Sequence, residues 1–539
     1  MTNVAFFETI LLLVFGAAVL SIIAERIDVP PAIVLLLGGA VVGFFGPTMS
    51  VVIQPDVVLV VLIPPLLMSS AFYTAWREFR EELVPIMSLA VGAVVCTTAM
   101  VALAARWASP SLPWGACIAL GAIVSPSDEV AAKALLHRLP LPERLVTILE
   151  GESLVNDATG LVIYRFAVIA TTEGAFDPAS AIVTFPTLVI LGLVIGGIFG
   201  ILSTLLFRRL GDPQLVIVVT FLSAWASYIV AERAHGSGVL SVVACGLIIG
   251  VCQHKVFDAA IRIKATATWD VIVFVLESLV FVLIGLSLHG VIERLTSANG
   301  FSLFVNLGFE WRMVLAVFVA VTLSRLLWAW GAMAVPARLM AAIGSVRSKR
   351  GLDFRFATFV GWAGMRGVVS LAAALALAQA FPRRDLLVFT TFCVIFATVV
   401  LQGLTLGFLA RVLKLRNDPE NPNTPYLTVL EARALTFRAS ISELEAIDLK
   451  NCGGNEDLVM RLIGEYKVRA DSNGYAVSGE VGYVRRHRSR LNLALRAVVA
   501  ARRALVKLHE ERQIKDAVLH KIEAELDLEE FRLRLLLGP

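Results

Sequence analysis

Long unbroken apolar runs, separated by short clusters of charged residues, Pro and Gly, dominate the first 411 positions of the chain. Breaking the chain at those clusters predicts thirteen helices, near residues 5–24, 31–46, 55–73, 83–106, 114–136, 144–171, 183–208, 213–232, 238–254, 268–290, 311–335, 356–380 and 386–411. Most are long enough to cross a ~30 Å hydrocarbon core, which takes roughly 20 helical residues. The second and ninth are short. A transmembrane β-barrel would alternate apolar and polar positions in ~10-residue segments, and these runs are continuous. From about residue 412 the pattern changes. The stretch LKLRNDPENPNTP reads as a linker, and TVLEARALTFRASISELEAIDL and LNLALRAVVAARRALVKLHEER place apolar residues at helical spacing. The expectation is an all-α polytopic membrane protein, with a transmembrane domain over 1–411 and a cytoplasmic helical domain over 412–539.

Composition agrees with this pattern. The 539 residues are 58% hydrophobic and only 17% charged, with a mean hydropathy of +0.80, outside the range of soluble globular chains. Five of the six cysteines fall in apolar runs, and none shows metal-ligand spacing, so they read as small buried residues. The start, MTNVAFFETILLLVF, lacks a basic leader and a small-residue cleavage site, and is taken as the first span. With the N-terminus outside, the inner connections carry sixteen Lys and Arg residues and the outer ones five, which sets the orientation and puts the C-terminus in the cytoplasm. The basic run Arg485, Arg486, His487, Arg488 and Arg490 reads as a solvated helix face, and no nucleic-acid partner is expected.

Charge inside the apolar runs is what points to function, because an ionisable side chain near the bilayer centre costs at least ~2.5–3.5 kcal/mol on insertion scales. Asp128 with Glu129, Glu152 with Asp157, Glu277 and Arg366 all qualify, with Arg325 nearer a helix end. In GESLVNDATG, residues 151–160, Glu152 and Asn156 share one helical stripe while Ser153 and Asp157 share the next, so all can face one interior surface. The structural alternative is that these acids only join helices through ion pairs. Basic residues at mid-depth are too few to neutralise every acid.

In GAIVSPSDEVA, Pro126 removes a backbone donor and crowds the carbonyl four residues back, so the fifth span breaks there. Freed carbonyls near 122–125, the hydroxyls of Ser125 and Ser127 and the carboxylate of Asp128 form the oxygen-rich set a dehydrated cation needs. A kink with satisfied serines is the alternative, but it leaves Asp128 unexplained. Arg366, in GWAGMRGVVS, keeps its charge at physiological pH and so requires a carboxylate partner, Glu152 or Asp128. Setting spans 1–6 against 8–13 pairs the fifth with the twelfth, each weakened by Gly, Pro or Ser beside a mid-span charge. That is the signature of inverted repeats with discontinuous helices.

GESLVNDATG, SPSDEVA, GMRGVVSLAAALAL, VLIPPLL, YIVAERAHGSGVL and LQGLTL, in this order over residues 5–411, resemble NhaP-type sodium/proton antiporters of the monovalent cation:proton antiporter superfamily. The resemblance implies a homodimer in the cell (inner) membrane that exchanges Na+, with Li+ or K+ as alternatives, for H+ by alternating access and without a cofactor. By matching positions it implies Asp157 as the ion-carrying acid and Asn156 as its neutral neighbour, which makes exchange electroneutral. It further implies Ser127, Asp128 and Ser153 as coordinating positions and Glu152 with Arg366 as a structural ion pair. The chain departs from the pattern in three places. Glu129 follows Asp128 where Pro is usual, adding a titratable group that can modulate the site. Ser127 replaces a common Thr, and Met68, Ser69 and Ser70 stand where relatives often carry an acid. A desolvated carboxylate suits such exchange, since burial favours its neutral form and a cation must then displace the proton. Two other classes make different demands on the sequence. A cation channel would need a filter or pore ring, and no repeated motif supplies one. An intramembrane hydrolase would use Asp128 and Asp157 as an aspartyl pair.

Overall fold

The computed structural model describes residues 3–27, 29–45, 58–128, 141–172, 178–298, 307–334, 353–415, 429–446, 456–477, 481–511, 513 and 516–537. Among these residues the regular structure is entirely helical. The chain divides into two compact units, Met1–Asn417 and Asp418–Pro539.

The first unit begins with α1 (Asn3–Arg26), α2 (Pro31–Phe45) and α3 (Ile63–Tyr73), the last led in by a π-helical turn at Val58–Leu62. Then come α4 (Leu83–Ala108), α5 (Trp114–Val124), α6 (Glu143–Thr172), α7 (Pro178–Phe207), α8 (Pro213–Arg233), α9 (Gly238–Val256), α10 (Ala259–Ala298) and α11 (Leu307–Ala334). The unit ends with two short helices, α12 (Phe354–Trp362) and α13 (Val368–Leu375), and with α14 (Arg384–Val412), which contains a π-helical turn at Thr398–Gln402. Among the described residues, eight helices are long and apolar enough to cross a membrane, and α2, α3 and α5 are shorter apolar helices.

Local chemistry sets several boundaries. Asp212 accepts from the Gln214 amide at 2.8 Å with Pro213 in the first turn of α8, and Ser237 accepts from the Leu240 amide at 3.3 Å to start α9. Apolar side chains such as Leu193, Ile198, Leu202 and Leu205 on α7 stay exposed, as expected of a lipid-facing surface. The interior is packed on small residues. A Cβ at Gly39 would lie 2.3 Å from the Val282 carbonyl oxygen, and one at Gly285 would lie 2.3 Å from that of Leu36, so α2 and α10 touch backbone to backbone.

Two interruptions position the site. α5 stops at Val124, short of the helix expected to run to 136, and residues 125–128 are non-helical around Pro126. The expected twelfth helix is likewise split, with an extended segment from Gly364 to Gly367 between α12 and α13. The two breaks meet: the Asp128 amide donates to the Met365 carbonyl at 2.8 Å.

In the second unit, α15 (Val429–Glu445) and α16 (Glu456–Val477) close over Ile441, Val459, Ile463 and Ala470. α17 (Val481–Glu510) and α18 (Asp516–Leu537) close over Leu491, Val498 and Leu533. Arg502 bridges the latter pair by contacts to Asp527 and, at 2.8 Å, to Glu530.

Candidate functional site

The middle of α6 carries Glu152, Ser153, Asn156 and Asp157, all buried. α6 can lie this close to the broken end of α5 because residue 160 is Gly, where a Cβ would meet Pro126 Cγ at 2.4 Å. The two elements are then joined by side chains. Ser153 Oγ and Asn156 Nδ2 both donate to the Ser127 carbonyl, at 3.1 and 3.0 Å, and Asn156 Nδ2 lies 2.8 Å from Ser127 Oγ. Ser127 Oγ in turn donates to Glu152 Oε1 at 2.9 Å. Ser127 and Asn156 therefore belong to a hydrogen-bonded lock that holds the unwound chain at 125–128 against α6.

Glu152 is 1% exposed and is gripped in bidentate fashion by Arg325 of α11, at 2.5 and 2.7 Å. This differs from the expected pair, in which Arg366 held Glu152. Arg325 is expected nearer a helix end, yet α11, which keeps essentially the expected extent, buries it to 3% exposure. Gly364 makes the room, since a Cβ there would lie 2.2 Å from Arg325 Nε, which also donates to the Val360 carbonyl at 3.3 Å. The sequence did hold a signal for this pairing, an arginine flanked by apolar residues on both sides in VTLSRLLWAW. Arg366 itself is fully buried, and its guanidinium has no hydrogen-bond partner among the described residues. Its backbone amide donates to Thr398 Oγ1 in the π-helical turn at 3.1 Å.

Beside this lock lies a small cleft, part of it open to the outside. Asp128, Ser153, Asp157, Glu277 and Ser370 line it, together with Ser69 and Ser70 of α3. Among the described residues, the lining includes no Lys, Arg or His. The Asp128 carboxylate is seated by Gly367, where a Cβ would fall 1.5 Å from Asp128 Oδ2, at the N-terminal end of α13 whose dipole favours an anion. Of the expected ion-binding residues, Asp157, Asp128 and Ser153 thus meet in one cleft, while Ser127 and Asn156 stand in the lock behind it. Glu129 lies outside the described residues.

Broken helices meeting at buried acids, in a bundle of apolar helices, are what a carrier of small cations requires. Residues 10–412 match the transmembrane domain of sodium/hydrogen exchangers. The chain belongs to the sodium/hydrogen exchanger family. An uncharacterized Na(+)/H(+) exchanger of Mycobacterium tuberculosis is 31% identical over 542 residues, covering 97% of this chain and 95% of its own. A sodium, potassium, lithium and rubidium/H(+) antiporter of Bacillus pumilus is 29% identical over 537 residues, covering 96% of this chain and 76% of its own. Among solved structures, the sodium proton antiporter MjNhaP1 from Methanocaldococcus jannaschii shares the fold, with a TM-score of 0.60 at 17% identity over 77% of this chain and 99% of that one. The family is one of transporters, so this exchanger is a membrane cation/proton antiporter and not an intramembrane hydrolase.

Proposed function

We propose that this antiporter carries its cation and its proton in turn on Asp157, with Asp128 and Ser153 supplying further oxygens and the lock of Ser127, Asn156 and the Glu152–Arg325 pair holding the broken helix in register. The observation that carries this reading is the cleft in which Asp128, Ser153 and Asp157 face one space, with no basic side chain among its described lining residues. Hard alkali cations take oxygen ligands, and a desolvated carboxylate binds either a proton or a cation but holds both poorly. Na+ is the proposed substrate. The name of the Bacillus relative supports a broader selectivity including K+ and Li+ as the second reading. A neutral Asn156 beside Asp157 supports electroneutral exchange. The resemblance further supports thirteen crossings, a homodimer, alternating access, an outside N-terminus and a cytoplasmic C-terminal domain.

The test is proton flux driven by Na+, Li+ or K+ in proteoliposomes under an imposed pH gradient. Asp157→Asn is expected to abolish cation-dependent flux for every cation, and undiminished flux would overturn the assignment.

A further inference from the structure

We infer that Ser370 is a further cation ligand of the cleft, a neutral hydroxyl oxygen on α13 that helps set which alkali ion the site prefers. The inference rests on the reading of Asp157 as the ion-carrying acid and extends the coordinating set to a third element, beyond α6 and the break in α5.

Three observations carry it. Ser370 is the one polar residue of α13, whose other residues are Val, Leu and Ala; it is 2% exposed and lines the same cleft as Asp128, Ser153 and Asp157. Burying a hydroxyl costs free energy that an alanine at the same place would not, so a serine here calls for a use. The second observation is the face on which it lies. A Cβ at Gly367 would fall on Asp128 Oδ2, and Ser370 follows three residues later on the same side of the helix. The third is that its position is fixed together with that acid. The Asp128 amide donates to the Met365 carbonyl at 2.8 Å and the Arg366 amide donates to Thr398 Oγ1 at 3.1 Å, while Ala372, Ala373 and Ala374 are buried in the interior. The start of α13 and the break in α5 are thus joined, and Ser370 keeps its place relative to Asp128.

An alkali cation that leaves water must regain oxygen ligands from the protein. A serine oxygen has two lone pairs, so it can coordinate the ion even while its proton is donated elsewhere. Being neutral, it adds a ligand without adding a charge to the cycle. Ligand number is one of the quantities by which a site tells cations of different size apart. The smaller Li+ is satisfied by fewer oxygens than Na+, so loss of the Ser370 oxygen weakens Na+ more than Li+.

The experiment is the initial rate of exchange by the full-length protein in proteoliposomes, measured across Na+ and Li+ concentration. Ser370→Ala, which removes the oxygen and suits a helix, is expected to raise the half-saturating Na+ about five- to tenfold, with a smaller rise for Li+ and a maximal rate within about twofold of wild type. Ser370→Thr, which keeps the oxygen, is expected to stay within about twofold of wild type for both ions. Wild-type exchange together with unchanged half-saturation in Ser370→Ala overturns the inference and leaves the reading of Asp157 standing. So does a lower maximal rate at unchanged half-saturation, which is the mark of a structural role, or a rise in Ser370→Thr equal to that in Ser370→Ala. A wild-type protein without cation-dependent flux overturns both.

Discussion

Breaking the Glu152–Arg325 pair should be far more damaging than replacing it. Two unit charges about 4 Å apart attract by ~4 kcal/mol at an effective dielectric constant near 20, and burying them costs several kcal/mol per ion, so the intact pair is close to balanced. Removing one partner leaves the other charge buried without compensation, which typically costs 3–5 kcal/mol. Glu152 is 1% exposed, and its remaining side-chain hydrogen bond comes from Ser127 at 2.9 Å, too little to carry a full charge. Arg325→Met should therefore lose about 3–5 kcal/mol, and adding Glu152→Gln should recover most of it, because the amide oxygen still accepts from Ser127. The assay is equilibrium unfolding in mixed detergent micelles, run as two double-mutant cycles, Glu152→Gln against Arg325→Met and Glu152→Gln against Arg366→Met. Coupling of about 2 kcal/mol or more is expected in the first cycle and a clearly smaller value in the second. Coupling to Arg366 equal to or above that to Arg325 would refute the assignment.

Two further outcomes follow from local geometry. Gly367→Ala should strongly reduce cation-driven flux in proteoliposomes while the protein still inserts and folds, because the added Cβ would sit 1.5 Å from Asp128 Oδ2 and must push that carboxylate off its seat; flux at the wild-type level would contradict this. In the second unit, the hydrogen bond from Arg534, followed by the charge of Arg502, holds the Glu530 carboxyl below its usual 4.5, so the contact is present above that value and is lost as pH falls through the lower folded value. Hydrogen exchange in α18, corrected for intrinsic rates, should stay slow near neutrality and accelerate only in strong acid, and Glu530→Gln should flatten that dependence.

Much of this architecture was legible because two signals are strong in a membrane chain: uninterrupted hydropathy, and charge where charge is expensive. Those signals marked Asp128, Glu152, Asp157, Glu277 and Arg366, and Pro126 located the first break. What could not be read was which cation meets which acid. Arg325 lies on α11 and Arg366 in the break between α12 and α13, and the choice between them for Glu152 depends on which face of α11 meets α6 and on the space that Gly364 leaves, neither of which hydropathy encodes. The division of labour among Ser127, Asn156 and Ser153 was hidden for a similar reason. All three are small polar residues at matching depth, and only the direction of each hydrogen bond separates the lock from the cleft. The freed carbonyls expected to face an ion were also partly spent, since the Ala122 carbonyl accepts from Ser125 Oγ at 3.1 Å.

Charge accounting then links the site to coupled exchange. Of the acids in this region, Glu152 is paired with Arg325, and Asp128, Asp157 and Glu277 meet in one cleft whose described lining residues include no Lys, Arg or His. One monovalent cation neutralises one of the three. Carboxylates sharing one poorly solvated space favour protonation of some of their number when no cation is bound. When the cation leaves, the deficit grows by one charge and favours uptake of one proton; when it returns, that proton is expelled. An amide at Asn156 fits the electroneutral exchange proposed above. An acid at that position, hydrogen-bonded to Ser127 beside Glu152, would add a further negative charge to the lock and change the number of protons the cycle must carry.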